Sequence, residues 1–495
     1  MSYYVGIDLG TTYSAIAYID ESGRPVVVPN DRGSTITASC VASIGGKLIV
    51  GEKARRHWAN DPENAAARFK RDMGTTKEFQ IAGDSYTPTQ LSTLVLAELK
   101  RLFEDNIGPV AEAVVTIPAN FSQEAREATM AAAQKAGLKI KFIINEPTAA
   151  ALYYAYHSGD GLSGNYVVFD LGGGTFDVSV IKVNGNNVDV IASNGLQKLG
   201  GDDFDNELWK LVSKKFKEET GKELANEDFP LNDAEEEKKS LSSRKRTTAD
   251  IDMELIDITR LEFQEAISTM VAQIEMMCEA TMEEAGIATS DITEVFLAGG
   301  STRMPFVIDI CDRVFGKEPT ATVNVDEIVA LGAALYAAQK SDGSSLNELQ
   351  KNSVKALQVS EVSNECFGTI CVDMSESGRP ELQNSVLIKK GTQIPCSVTK
   401  RYQTIKDGQV KINCQITESK SPETDPKFVK VICDEDLELP PNRPEGQEVD
   451  VTFSYDANQM IHAVFKDVQS GKTKDFSINR AGSNDSNDID KFLVE

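Results

Sequence analysis

The feature that most constrains this chain is a device that occurs twice. The first copy is Tyr4-Val5-Gly6-Ile7-Asp8-Leu9-Gly10-Thr11-Thr12, followed by the alternating run 13–19. The second is Val167-Val168-Phe169-Asp170-Leu171-Gly172-Gly173-Gly174-Thr175, followed by 176–181. In each, an apolar run ends in a carboxylate, a turn of glycine and hydroxyl residues follows, and the chain continues in alternation. Glycine reaches backbone conformations and close approaches that a side chain blocks, so each copy reads as strand, tight turn, strand. Two copies predict two related halves that face a shared ligand.

The remainder supports duplication. Short strands are expected at 26–28 and 47–50. Apolar residues at helical spacing (Leu91, Leu94, Val95, Leu99, Leu102) predict a helix over 88–103. A strand over 113–118 ends in Pro118, and Ser122 and Gly137 bracket a helix as N-cap and stop. A strand over 140–144 and a helix over 147–156 follow, an alternation that indicates an α/β domain. After the second hairpin, 202–286 reads as mostly helical, with a β-rich insertion at 247–258. Residues 294–303 form a strand and glycine turn leading into a helix, matching 114–118 and its helix in the first half. Duplication is therefore at domain scale. Residues 326–339 read as a helix of small residues suited to close packing.

The character changes near 340. The expected division is one domain over 1–345, a linker over 346–361, an all-β domain over 362–480 and a polar, disordered tail over 481–495. In the third segment Val410, Ile412, Cys414 and Ile416, then Val449, Val451, Phe453 and Tyr455, alternate with other residues, so each strand has one buried face. A formal net charge of −25 argues against nucleic acid or an anionic membrane as the main partner. No apolar run approaches the roughly 18 residues of a membrane span, and residues 1–4 enter a strand without a leader pattern. The eight cysteines form no CxxC pair or zinc-like spacing. Reduced thiols in a cytoplasmic protein are the expectation.

The paired turns carry chemistry. Backbone N–H groups of a glycine turn converge on an anion, and threonine hydroxyls add donors. Asp8 and Asp170, at the same offset from their turns, suit a hydrated Mg²⁺. One hairpin alone would read as an ordinary hairpin; the pair favours phosphate and metal. No GxxxxGK[ST] motif occurs, so this is not a P-loop protein. The turn at 298–303 suits a nucleoside or close strand–helix packing equally. Lys70, in Arg68-Phe69-Lys70-Arg71, reads by spacing as part of a solvated basic face.

Five motifs in order carry a resemblance: Gly6 to Thr12, Asn145-Glu146-Pro147-Thr148-Ala149-Ala150-Ala151, Phe169 to Asp177, Leu199-Gly200-Gly201-Asp202-Asp203-Phe204-Asp205 and Gly299-Gly300-Ser301-Thr302-Arg303. Together they resemble the nucleotide-binding domain of the seventy-kilodalton heat-shock (DnaK-type) chaperones, over residues 3 to about 340. Thr392-Gln393-Ile394-Pro395 and 449–465 resemble, more loosely, that family's β-sandwich peptide-binding domain.

The resemblance implies two actin-like lobes, each on a ribonuclease-H-like core, with ATP or ADP between them. Asp8 and Asp170 would place Mg²⁺ through water. Gly10, Thr11, Thr12 and Tyr13 would hold nucleotide from one lobe, and Gly172, Gly173, Gly174, Thr175, Gly200, Gly201 and Asp202 from the other. Lys70 would orient the attacking water with Thr175 beside it, and Glu146 and Asp177 would organise water and K⁺. Adenosine would lie among Glu235, Lys238, Lys239, Ser242, Gly299, Gly300, Ser301, Arg303 and Asp326. Pro118 and Arg126 match an allosteric proline switch and arginine relay. The implied partners are extended or unfolded peptides, a J-domain co-chaperone and a nucleotide-exchange factor.

The chain departs from the family's pattern at several points. Phe142 stands where a basic residue is usual, which bears on J-domain docking. Leu357-Gln358-Val359-Ser360-Glu361 is less apolar than the leucine-rich linker. Thr369, Ile370, Cys371 and Val372 fall where peptide contacts are expected. The sequence stops soon after Ile478, where the family continues into a helical lid, and its last residues, Phe492 to Glu495, are not the family's co-chaperone-binding tail. The expectation is a lidless ATP-dependent chaperone whose captured peptide exchanges quickly. The alternative is a nucleotide-binding co-chaperone or regulator with little ATPase activity.

Overall fold

Both repeated motifs fold as the antiparallel hairpins their composition dictates. The computed structural model describes residues 2–158, 162–185, 187–319, 324–355, 357–374 and 380–477; the tail expected over 481–495 lies outside them. In the first half, β1 (Tyr3–Asp8) pairs antiparallel with β2 (Tyr13–Ile19), Asp8 facing Ala15. With β3 (Pro25–Val27), β4 (Val110–Ile117) and β5 (Ile140–Asn145), the order is β5-β4-β1-β2-β3, and β1 lies parallel to β4. In the second half, β6 (Ser163–Leu171) pairs antiparallel with β7 (Phe176–Asn184), Asp170 facing Asp177. Adding β8 (Asn187–Leu196) and β9 (Ile292–Ala298) gives the run β9-β6-β7-β8, with β6 parallel to β9. The β1, β2, β3 and β4 of one half thus correspond in pairing and direction to β6, β7, β8 and β9 of the other.

Each half has its own core. Val5, Ile7, Leu99, Val115 and Ile143 belong to one cluster, and Val167, Phe169, Phe176, Phe204 and Leu297 to another. Local signals start the helices. A capping box between Thr87 and Gln90 opens α1 (Pro88–Asn106), and the Ser122 hydroxyl accepts from the Ala125 N–H at the start of α2 (Gln123–Lys135). Next come α3 (Glu146–Ser158), α4 (Gly201–Thr220), α5 (Leu231–Ser243) and α6 (Ile328–Lys340). The small residues of α6 are needed for contact: a Cβ at Gly332 would overlap the Ala149 carbonyl of α3, and one at Gly6 would overlap the Ala334 backbone. The strands Arg246–Ile251 and Glu254–Thr259 account for the β insertion.

The chain divides into units Met1–Val359 and Ser360–Arg480. Residues 346–361, expected as a linker, include a helix, Glu348–Val354, that belongs to the first unit. The Asn347 amide donates to the Glu21 carbonyl at 3.0 Å, and that of Gln350 to Ile19 at 2.8 Å. The second unit holds two four-stranded antiparallel sheets. One orders Pro380–Ile388, Cys366–Met374, Lys411–Ser419 and Lys430–Glu438; the other orders Cys396–Gln403, Glu448–Tyr455, Ile461–Asp467 and Thr473–Ser477. Phe367, Ile416, Phe453, Tyr455 and Phe465, drawn from both sheets, share one core. All eight cysteines are free thiols. Among the described residues, no helix is long and apolar enough to cross a membrane.

Candidate functional site

The two hairpin turns meet at the bottom of a cleft between the halves of the first unit. A Cβ at Gly173 would overlap the Thr12 hydroxyl, and one at Gly174 would lie 2.7 Å from that of Thr11. Glycine is required on one side because threonine occupies the other. The second turn is clamped from behind by the start of α4: the N–H groups of Gly201 and Asp202 donate to the carbonyls of Gly172 and Gly173 at 3.0 and 2.7 Å. A Cβ at Gly200 would stand 2.6 Å from the Gly173 backbone, which explains that glycine as packing. In the first turn, Gly10 donates to the Ser14 hydroxyl at 3.1 Å, and Ser39 donates back to the Gly10 carbonyl at 2.8 Å.

Carboxylates gather below the turns. Asp8, Glu146, Asp170 and Asp177 surround Lys70, which is 3% exposed and ion-paired to Glu146. Burial, then the charge of Glu146, pushes Asp8 up to about 7, against Lys70 and a 3.0 Å bond from Thr116. The same two causes push Asp177 up to about 8. Asp170 is raised well above the usual carboxylate range by burial, Glu146, Asp177 and Asp8, in that order. One ammonium does not neutralise four buried carboxylates, so the cluster is an electrostatic sink for added positive charge.

Above this floor lies a cavity of about 500 Å³. Every site residue expected from the sequence lines it except Gly174, Gly200, Asp177, Pro118 and Arg126. Gly174 and Gly200 back the turns, and Asp177 sits beside Asp170 in the hairpin register. Arg126, 2% exposed, donates to the carbonyls of Phe121 and Ala119 at 3.2 and 3.0 Å. The N–H groups of Ala119 and Asn120 in turn donate to Asp177. Arg126 therefore braces the loop after Pro118 that holds Asp177, and neither Pro118 nor Arg126 lines the cavity.

The upper wall is polar and paired. Lys238 reaches Asp205 at 2.6 Å and the Gly201 carbonyl at 2.8 Å; Lys239 reaches Glu235 at 3.0 Å, and Arg303 reaches Asp326 at 2.8 Å. Burial works to raise Glu235, but Arg55, Lys239 and Lys238 outweigh it and hold its carboxyl below the usual range. The turn at 298–303 packs closely and also borders the cavity. Gly299 has φ 80° and would place a Cβ 2.8 Å from Asp170, while Gly299, Gly300 and Ser301 also line the cavity. The cavity has further lining residues that the sequence reading did not assign: Ile36, Asp205, Met304, Val325 and Val329. The four apolar ones carry no local signal. Asp205 had one, its place in the Gly200-to-Asp205 motif.

The donor set fits a phosphate chain with a divalent cation. The Thr12 hydroxyl oxygen is buried at the cavity without a hydrogen-bond partner among the described residues. Asp8 and Asp170 are carboxylates that burial drives toward their neutral forms and that a cation would return to the charged form. A family model described as Hsp70 protein matches residues 4–82 and 75–495, nearly the whole chain, and the chain belongs to that family.

Proposed function

We propose that this protein is an ATP-dependent chaperone in which nucleotide turnover in the cleft of the first unit regulates binding of extended peptides by the second. Members of the Hsp70 family are ATPases that bind ATP or ADP with Mg²⁺, and they share the actin-like two-lobed fold. The observation that carries the reading is the pairing of two threonine-bearing glycine turns over a buried Lys70 ringed by Asp8, Glu146, Asp170 and Asp177. Phosphoryl transfer to water needs alignment and charge neutralisation more than covalent help.

In this reading Asp8 and Asp170 hold Mg²⁺, which supplies charge neutralisation on the phosphates when bound. Thr11, Thr12, Gly172, Gly173, Thr175 and the start of α4 receive the phosphate chain, with Gly174 backing the turn. Lys70, fixed by Glu146, orients the water beside Thr175. Glu146 and Asp177 hold further water and a K⁺ ion. The adenosine lies along Glu235, Lys238, Lys239, Ser242, Gly300, Ser301 and Arg303, with Ile36, Met304, Val325 and Val329 adding apolar surface. The brace from Arg126 through the Pro118 loop to Asp177 supports a relay out of the cleft. Phe142 is half-buried on β5, its ring 6.4 Å from that of Tyr336 with the Lys340 ammonium 5.9 Å away. An aromatic ring where the family usually has a basic residue argues against the ordinary J-domain contact at that point. Two stacked sheets with a common core support a β-sandwich peptide-binding domain. Eight free thiols suit a reducing compartment such as the cytoplasm.

The test is release of a fluorescent extended peptide from the full chain in ATP and in ADP, with Mg²⁺ and K⁺. Faster release in ATP is expected. Equal rates in both nucleotides sink the coupling.

A further inference from the structure

Arg68 is backbone-strained, and the roles above leave it unused. It has φ 63° and ψ 11°, the left-handed region that non-glycine residues avoid. It immediately precedes the turn Phe69–Asp72, which carries Lys70 into the cleft. Such a conformation persists where surrounding contacts over-determine it. Here the contacts come from both halves of the unit.

From its own half, the Trp58 ring lies 5.2 Å from the guanidinium carbon. From the other half, α4 offers two carboxylates: Arg68 Nε is 3.0 Å from Asp202 Oδ2, and Nη2 is 3.7 Å from Asp205 Oδ2. The side chains of Asp202 and Asp205 are 4% and 1% exposed, so solvent screens the pair little. On the far side of Lys70, Arg71 Nη2 meets Asp203 of the same helix at 2.9 Å. Lys70 is therefore flanked, two residues before and one after, by arginines fastened across the cleft. Asp202 and Asp205 line the cavity themselves, so the clasp sits at its wall.

We propose that Arg68 is a positioning residue: its guanidinium, clasped by Asp202 and Asp205 of the opposite half, keeps the cleft closed on bound nucleotide and fixes the turn that presents Lys70. The inference rests on the nucleotide reading of the cleft. Separation of the halves would break the clasp and remove the restraint that keeps Arg68 left-handed. Opening and displacement of Lys70 become one event.

The experiment uses the full chain with a fluorescent ADP analogue and compares wild type with Arg68→Gly, Arg68→Asn and Arg68→Lys. Glycine and asparagine both tolerate a positive φ, so those variants delete the clasp without imposing new strain. The expected result is ADP release roughly ten- to a hundredfold faster in both, since truncating one partner of a buried charge pair acts mainly on dissociation. Both variants also lose some stability, because Asp202 stays buried without this partner, so release is the deciding readout; Arg68→Lys, which keeps the charge, recovers part of the slow release. A purely structural salt bridge would move the midpoint and leave release within twofold of wild type in both variants, and that result overturns the inference. If the wild-type chain binds no ADP analogue, the nucleotide reading itself fails and the clasp falls with it.

Discussion

Replacing Lys70 with alanine tests the electrostatic account of the cleft floor. Lys70 and Glu146 are 3% and 7% exposed, and the same ammonium lowers the proton affinities of Asp8, Asp170 and Asp177. Its loss leaves Glu146 buried without its partner, a change that costs about 3–5 kcal/mol when the charge cannot be relieved. Relief depends on pH. Asp8 and Asp177 are pushed up to about 7 and about 8, above the ordinary 3.8, so in the folded protein both largely hold protons at pH 6 and give them up by pH 9. At pH 9 the variant confronts several uncompensated carboxylates and loses about 3 kcal/mol; at pH 6 the loss shrinks to about 1 kcal/mol. Urea unfolding of the nucleotide-free protein at the two pH values measures this difference. Single-turnover ATP hydrolysis measures the second consequence, a fall of roughly 10²–10³-fold, typical for removal of one positioned electrostatic group. Hydrolysis within threefold of wild type, or an equal loss of stability at both pH values, would refute the reasoning.

Three other substitutions probe separate links. Gly332→Ala forces a methyl into the Ala149 carbonyl between α6 and α3, two elements that leave no room to yield; a loss of about 2–3 kcal/mol in thermal unfolding is expected, and an unchanged midpoint would contradict the packing. Burial, reinforced by Glu124 and opposed by a bond from Gln123, pushes Glu127 up to about 7 from 4.5. The folded chain therefore keeps a proton that the unfolded chain releases, and stability falls as pH rises from about 4.5 through 7. Glu127→Gln removes that penalty and should gain about 1 kcal/mol at pH 8.5, after allowance for solvent screening, and almost nothing at pH 5; a gain independent of pH excludes the titration. Thr87→Ala removes the hydroxyl of the α1 capping box and should cost about 1 kcal/mol, read from the urea midpoint, whereas Thr87→Ser should restore most of it.

Legibility in the sequence followed the range of the interactions involved. The hairpins at Asp8 and Asp170 are readable because strand alternation and glycine turns are local, and the duplicated order marks β4 and β9 as equivalent strands, whereas their parallel pairing with β1 and β6 is seen only in the structure. The small-residue stripe of α6 signalled close contact, although not that its partner would be the Ala149 carbonyl. Lys70 shows where local reasoning stops. By spacing it belongs to a solvated basic cluster, yet tertiary packing buries it among carboxylates drawn from β1, α3, β6 and β7. Arg68 is hidden for the same reason, since its carboxylate partners stand more than a hundred residues away. The helix Glu348–Val354 did carry a signal within the stretch read as a linker: Asn347 and Gln350 form a capping box three residues apart. Its seven residues were too short and polar for an apolar period to show. Ile36, Met304, Val325 and Val329 meet only because the two halves face each other.

The central claim is that the paired turns and their carboxylates form a site for nucleotide with a divalent cation. Isothermal titration of the full chain with ATP, in Mg²⁺ and in chelator, tests it most directly. The account expects one ATP per chain, bound at least tenfold tighter with Mg²⁺ (about 1.4 kcal/mol), and the Mg²⁺ dependence abolished in Asp8→Asn/Asp170→Asn. No measurable ATP binding, or binding of equal strength with and without Mg²⁺, would contradict it.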